Sequence, residues 1–292
     1  MTGRRRLVKV PASSANLGPG FDVLAAALDI HLELEVTETG AFEVDAGDDG
    51  LPAGRDNLCV RAFERLHPAG GLRFEIRSDI PVARGLGSSA AAIVAGLLAA
   101  DHMYELALDP ADVYRHAVDL EGHPDNVAAA LFGGFAVSPA DAATDPPIRL
   151  EPPQGVEGVL AIPADEVSTD SARAALPAEV PLEDAVANIA AASHLVLGIE
   201  RSDLTLISRG LADRLHQQRR AAVYPSSMDL LSAAREVGAI GATISGAGPA
   251  VLFWCFWQDT GKVVDALGDR AGEDVEIRRA RFTPLGADVP EL

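Results

Sequence analysis

Pro81-Val82-Ala83-Arg84-Gly85-Leu86-Gly87-Ser88-Ser89-Ala90-Ala91 is the stretch on which the reading of this chain turns. Before it, residues 72–77 alternate: Leu72, Phe74 and Ile76 on one face, Arg73, Glu75 and Arg77 on the other. That period of two predicts a strand. After it, an alanine-rich run predicts a helix to about residue 106, with Ser88 and Ser89 as its N-cap residues. Gly85 and Gly87 let the backbone come close to an anion. The helix start then offers unpaired N–H groups and the positive end of its dipole. Strand, glycine loop and helix together make a candidate phosphate cradle. The loop is not a Walker A motif, since no Gly-Lys-Ser/Thr occurs. It lacks the third glycine of a dinucleotide fingerprint, and protein-kinase signatures are absent. On its own, a tight turn with an ordinary helix cap explains it equally well.

Outward toward the N-terminus, residues 7–10 read as a short strand ending at Pro11, followed by a polar turn at 12–20. Residues 21–28 form one helical or extended segment. Residues 31–37 alternate as a half-buried strand, with 42–45 as its hairpin partner. A helix at 57–66 stops before Pro68. Beyond the long helix, Asp109-Pro110 opens another that ends near Gly122. A short helix at 126–131 and a strand at 135–138 follow. Residues 139–155 hold five prolines, a linker composition. The expected domain boundary lies there, between 1–150 and 151–292. The second half predicts a strand at 156–163 and helices at 181–199, 204–215 and 226–237. Strands at 242–245 and 251–257, a helix at 260–271 and a last strand at 274–282 complete it. That order fits an α+β sandwich with helices on one face of an antiparallel sheet.

A chain of 292 residues buries a sizeable core without staples. Acidic residues number 43 and basic residues 24, for a net charge of -19, which argues against a nucleic-acid or anionic-membrane partner. Lys9 and Lys262 are the only lysines. A GC-rich genome favours arginine codons, but a carboxylate-rich, lysine-poor surface also stays soluble in salt, and halophilic adaptation is the expectation carried forward. Cys59 and Cys255 suit neither a disulfide framework nor zinc, and Cys255 lies in the apolar run 252–257. The basic start never becomes the apolar core of a signal peptide. No uncharged apolar run reaches about 18 residues. A soluble, cytoplasmic protein is expected.

Two further glycine-bearing stretches change the weight of the first. One is Pro11-Ala12-Ser13-Ser14-Ala15-Asn16-Leu17-Gly18-Pro19-Gly20-Phe21-Asp22; the other is Ile244-Ser245-Gly246-Ala247-Gly248-Pro249-Ala250. With residues 81–91 they resemble the three-motif set of the GHMP small-molecule kinases, over almost the whole chain. The first motif looks like that of the homoserine kinase family in particular. So do Glu121-Gly122-His123-Pro124-Asp125-Asn126-Val127 and Asp213-Arg214-Leu215-His216 through Tyr224-Pro225.

The resemblance implies ATP-dependent phosphorylation of the hydroxyl of L-homoserine, on the threonine pathway. It implies an N-terminal α/β domain, ribosomal protein S5 domain 2-like, and a C-terminal ferredoxin-like α/β sandwich. Pro81, Arg84, Gly85, Leu86, Gly87, Ser88, Ser89, Ala90 and Ala91 would wrap the ATP phosphates. Ser89, favoured over Ser88, would hold Mg²⁺ with Glu121. Asn57 would approach adenine, although a helix cap explains it as well. Arg173 and Arg220 would bind the substrate carboxylate, Asn16 and Asp22 its ammonium, and Thr243 joins this substrate set. His123 and Asn126 would border the reacting hydroxyl. Asp125 would act as general base, the alternative being proton transfer to phosphate itself. One departure exists: Gln218-Arg219 stand where the family has Pro-aromatic, so two adjacent arginines compete for the substrate position. A homodimer is expected. Kinases of the same superfamily for another small alcohol, such as shikimate, and a non-catalytic nucleotide-binding module stay open at this point.

Overall fold

The computed structural model describes residues 3–47, 50–141 and 145–290. Residues 1–2 of the basic start, and 142–144 of the proline-rich linker, lie outside the described residues. The first half builds β1 (Arg5–Ala15), β2 (Leu24–Glu38), β3 (Glu43–Asp45), α1 (Leu58–Glu64) and β4 (Leu72–Ser78). It continues with α2 (Ser88–Tyr104), α3 (Pro110–Glu121), α4 (Asp125–Phe132), β5 (Phe135–Val137) and β6 (Ile148–Leu150).

β2 is the spine of a six-stranded sheet. β1 pairs antiparallel along its length, while β4 and β5 share the other edge, at Leu32–Glu38 and Leu24–Ala26 respectively. This corrects two expectations and decides a third between its two alternatives. β1 does not end at Pro11 but runs to Ala15, with a register shift between Pro11 and Ala12. A proline is tolerated at such a bulge because no ladder hydrogen bond is asked of it. Residues 24–28 are strand. Residues 43–45 do not form a hairpin with β2, whose two edges are already taken; they pair in parallel with the far edge of β4, across α1. A further strand, β6, sits inside the proline-rich segment and pairs with β5.

α2 is buried nearly all round, from Ala90 and Ala91 through Val94, Leu97 and Ala100 to Met103. A helix apolar on every side must sit inside the core. Its cap differs from expectation. Gly87, at φ 70°, is the N-cap and makes no side-chain cap bond, so Ser88 is the first helical residue.

The second half contributes β7 (Val156–Pro163), α5 (Thr169–Ala174), α6 (Leu182–Arg201), α7 (Leu204–Gly210), α8 (Pro225–Ser232), β8 (Gly241–Ile244), β9 (Val251–Phe256), α9 (Thr260–Arg270) and β10 (Val275–Ala280). α7 and α8 are shorter than predicted, and α5 has no counterpart in the sequence reading. The strand order β10-β7-β9-β8, antiparallel throughout, is the ferredoxin-like arrangement. β9 has no polar alternation because both faces are covered. Leu252 and Trp254 face the core shared with the first sheet, while Val251, Phe253 and Cys255 face the α8–α9 side. Trp254 packs 5.8 Å from Phe135 of β5, which joins the two halves. Burial pushes the Cys59 and Cys255 thiols up to about 12, so both stay protonated.

The chain returns to the first sheet at its end, where Lys9 bridges Asp288 and Leu28 bridges Phe282. α6 has the length and apolar composition of a membrane span. Asn188, Ala191, Leu195, Gly198 and Ile199 pack inward, and Leu182, Val186, Ile189 and Leu197 are exposed.

Candidate active site

The three glycine-bearing motifs meet. Ser13 N donates to Leu86 O at 3.1 Å, and Gly246 N donates to Ala15 O at 3.1 Å. Ser245 Oγ donates to Gly85 O at 2.7 Å and lies 2.8 Å from Ser14 Oγ. Asn16 Nδ2 donates to Gly246 O at 2.8 Å. Ser13, Ser14 and Ser245 are fully buried, so these hydroxyls replace water in lacing three backbone turns together. Between them opens a cavity of about 420 Å³, bordered by α1, the start of α2, the 121–126 turn and α5.

Gly85, Leu86, Gly87, Ser88 and Ser89 line this cavity. The first N–H groups of α2 lack intrahelical partners, Gly87 brings no side chain to cap them, and Ser88 and Ser89 border the cavity. Ser89 Oγ donates to Glu121 Oε2 at 2.6 Å. Burial raises the Glu121 carboxyl above the ordinary value, opposed by the Ser89 bond and by His123. The remaining loop residues depart from expectation. Arg84 turns away: it donates to Ala164 O at 2.6 Å and pairs with Glu166 at 3.4 Å. Pro81 does not reach the cavity, and Ala90 and Ala91 point into the core.

Asn57 lines the cavity but is also the N-cap of α1, accepting from Cys59 N at 2.9 Å while donating to Pro52 O at 2.9 Å. The helix-cap reading of Asn57 holds, and the residue also shapes the cavity wall with its amide already engaged. His123 Nδ1 lies 3.6 Å from Asp125 Oδ1. That carboxylate raises the imidazole above its ordinary pKa against the opposing effect of burial. Asp125 is 2% exposed and accepts from Asn126 N at 2.7 Å. Asn126 Oδ1 accepts from Ser13 Oγ at 2.8 Å, which fixes this turn to the first motif.

At the other end of the cavity, Asn16 and Asp22 hold left-handed backbone at φ 67° and 58°. Such strain persists only where surrounding bonds over-determine it. Asn16 Oδ1 supplies one, accepting from Asp22 N at 2.9 Å. Arg173, on α5, grips the Asp22 carboxylate bidentately at 2.9 and 2.5 Å. α5 itself is capped by Ser168, which accepts from Ser171 N. The adjacent arginines separate cleanly. Arg219 reaches out to Asp184 at 3.0 Å, whereas Arg220 is 2% exposed and lines the cavity. Arg220 donates to Ala172 O at 2.8 Å and to His216 Nδ1 at 3.2 Å, and it has no ion pair among the described residues. Burial lowers its pKa, but a guanidinium stays charged.

Thr243 is a correction. It is fully buried away from the cavity, where its hydroxyl accepts from Trp254 Nε1 at 3.2 Å. Phe21 and His216 stand in the quoted motifs with no role assigned to either, yet Phe21 lines the cavity 5.3 Å from both the Arg173 and Arg220 guanidiniums. The Phe21-Asp22 pair within the first motif was the available signal.

Residues 57–134 match the family described as GHMP kinases N terminal domain, and residues 195–274 match GHMP kinases C terminal. A homoserine kinase of Moorella thermoacetica is 42% identical over 257 residues, covering 85% of this chain and 87% of the relative. One of Thermus thermophilus is 42% identical over 278 residues, covering 93% and 89%. The crystal structure of homoserine kinase from Cytophaga hutchinsonii has a TM-score of 0.87 at 29% identity, covering 98% of this chain and 97% of that one.

Proposed function

We propose a function from one premise: the chain belongs to the GHMP kinase family, within its homoserine kinases. It is an ATP-dependent small-molecule kinase. Its reaction transfers the γ-phosphoryl group of ATP to the hydroxyl of L-homoserine, giving O-phospho-L-homoserine for threonine biosynthesis. One observation supports the substrate most strongly: Arg220 is a buried cation lining the cavity with no ion-pair partner among the described residues. A buried charge left unpaired is costly, so such a site favours a ligand that brings the missing carboxylate.

In this reading the zwitterion inserts into the Asp22–Arg173 pair. Its carboxylate takes Arg173 and Arg220, and its ammonium takes Asp22 together with the free lone pair of Asn16 Oδ1. The hydroxyl end then lies toward His123, Asp125 and Asn126. We assign the departing hydroxyl proton to Asp125, whose carboxylate is oriented by Asn126 N–H and by His123. The loop 85–89 and the start of α2 hold the phosphates of ATP, and Asn57 forms part of the nucleotide wall. Phosphoryl transfer asks mainly for positioning and charge neutralisation.

The Ser89–Glu121 pair fits Mg²⁺. It offers two hard oxygen donors, and Glu121 is a half-buried carboxylate with no cationic ion-pair partner among the described residues. Bound there, the ion would neutralise charge on the phosphates.

Steady-state kinetics test the assignment. Homoserine-dependent ADP release is expected, with kcat/KM for 4-hydroxybutyrate lower by on the order of 10³, because a site built for a polar group rejects an analogue lacking it. Arg220→Lys should raise the homoserine KM and leave the ATP KM nearly unchanged, since a point charge replaces a forked donor. Equal rates on both substrates would remove the ammonium site.

We divide the chain at 150/151 into a nucleotide-holding part and a second part whose tail crosses back over the first sheet. We place the enzyme in the cytoplasm and carry forward its assembly as a homodimer. The acidic, lysine-poor composition is read as salt adaptation: charge on a chain of net -19 repels itself at low ionic strength. The melting temperature should rise by several degrees from ~0.1 M to ~2 M KCl. A flat curve would return the missing lysines to genome composition.

A further inference from the structure

His216 has no part in the steps above, yet the amino-acid end of the cleft is assembled on it. The residue is 1% exposed and does not itself line the cavity. Its Nε2 lies 2.8 Å from Gly18 O. A carbonyl only accepts, so Nε2 carries the proton. Its Nδ1 lies 3.2 Å from Arg220 Nη1. A guanidinium only donates, so Nδ1 presents a lone pair. Both contacts are met together by the neutral Nε2–H tautomer alone. Burial and the Arg220 charge oppose protonation, while Asp213, 3.8 Å from Nε2, favours it; the net direction is downward from the ordinary value.

The surroundings hold the ring where these contacts need it. Asp213 Oδ2 accepts from the backbone N–H of His216 at 3.0 Å and of Gln217 at 2.7 Å. Gln217 Oε1 accepts from Ile244 N at 2.7 Å, tying the same turn to the third glycine motif. Phe21 covers the imidazole at 5.3 Å. Nε is given to Ala172 O and one Nη1 hydrogen to His216, and Tyr224 also acts on this guanidinium, so a ligand carboxylate would use the remaining N–H groups of Arg220 beside that ring.

We propose that His216 is a positioning residue for the substrate carboxylate: the Gly18 bond selects its tautomer, and the lone pair this exposes fixes the orientation of the Arg220 guanidinium. The inference rests on the homoserine kinase reading. It converts Arg220 from a flexible cation into an oriented fork, and the pre-organisation is felt as homoserine affinity, not as ATP affinity.

Two variants separate the two nitrogens. In His216→Asn a polar atom stands where Nδ1 was; in His216→Gln one stands where Nε2 was. Kinetics with homoserine and ATP varied separately should give a homoserine KM about tenfold or more higher for His216→Gln, with kcat and the ATP KM within about threefold. His216→Asn should keep the homoserine KM within about threefold of wild type. Equal homoserine KM values for the two variants, or an ATP KM that rises in step, would overturn the proposal, whatever happens to their melting temperatures. Wild-type enzyme with ¹⁵N-labelled histidine provides a check that needs no variant. A neutral Nε2–H ring at neutral pH is expected, and a charged ring or the Nδ1–H tautomer would overturn it. Wild type without homoserine-dependent turnover would overturn the underlying reading and this inference with it, an outcome distinct from active wild type with unsplit variants.

Discussion

Glu121→Gln is expected to lower turnover by on the order of 10² or more while leaving the fold at least as heat-stable as wild type. The two halves of that expectation share one cause. Glu121 is held by Ser89 Oγ at 2.6 Å beside the phosphate-binding loop, and burial raises its pKa. A raised carboxyl stabilises the fold below its ordinary pKa, and that contribution is lost as pH rises through the folded value. Above that value the ion-free enzyme bears an unfavourable, largely desolvated charge, which glutamine removes while still able to accept from Ser89. Without Mg²⁺, the melting temperature of the variant relative to wild type should be highest at alkaline pH and shrink as pH falls through the raised folded-state value. Turnover within about threefold of wild type at saturating Mg²⁺ would take Glu121 out of the metal site.

Gly85→Ala should be nearly as damaging by a different route. Gly85 has φ +76°, and a Cβ there would stand 2.2 Å from Ser245 O and 2.9 Å from Gly248 N. The third motif could no longer close on the loop, so kcat/KM for ATP should fall by on the order of 10². Gly40→Ala is the control. Gly40 has φ +87° but nothing within 4 Å of its added Cβ. It should lose only the cost of strained backbone, about 1–3 kcal/mol of stability, with kinetics unchanged. If the two variants behave alike, the tight stacking of the glycine loops is irrelevant to nucleotide binding.

Much of the active site was legible before the fold was known, for a physical reason. Residues such as Asn16, Gly18, Gly85 and Gly87 serve turns, close approach and polar lacing, tasks that restrict residue type strongly. The order strand, helices, strand, strand, helix, strand likewise carried the second half through to its antiparallel sheet, because period and breaker residues mark elements locally. β9 was found as an apolar run although nothing in the run says what covers each face.

Other features depended on neighbours far away in sequence. Residues 43–45 looked like a partner for β2 and went to β4, because β1 had already taken the open edge of β2. Arg84 sits in the middle of the phosphate loop and points out of it, toward Ala164 and Glu166. Thr243 faces Trp254. Of two adjacent arginines, Arg219 met Asp184 outside and Arg220 met His216 within. The sequence alone determined which residues could make a phosphate cradle and an amino-acid pocket, since backbone conformation and polarity are written locally. Only the tertiary structure decided which side chains face the cleft and which atoms remain free for a ligand. A side chain's direction and its spare hydrogen bonds depend on the partners that packing brings to it.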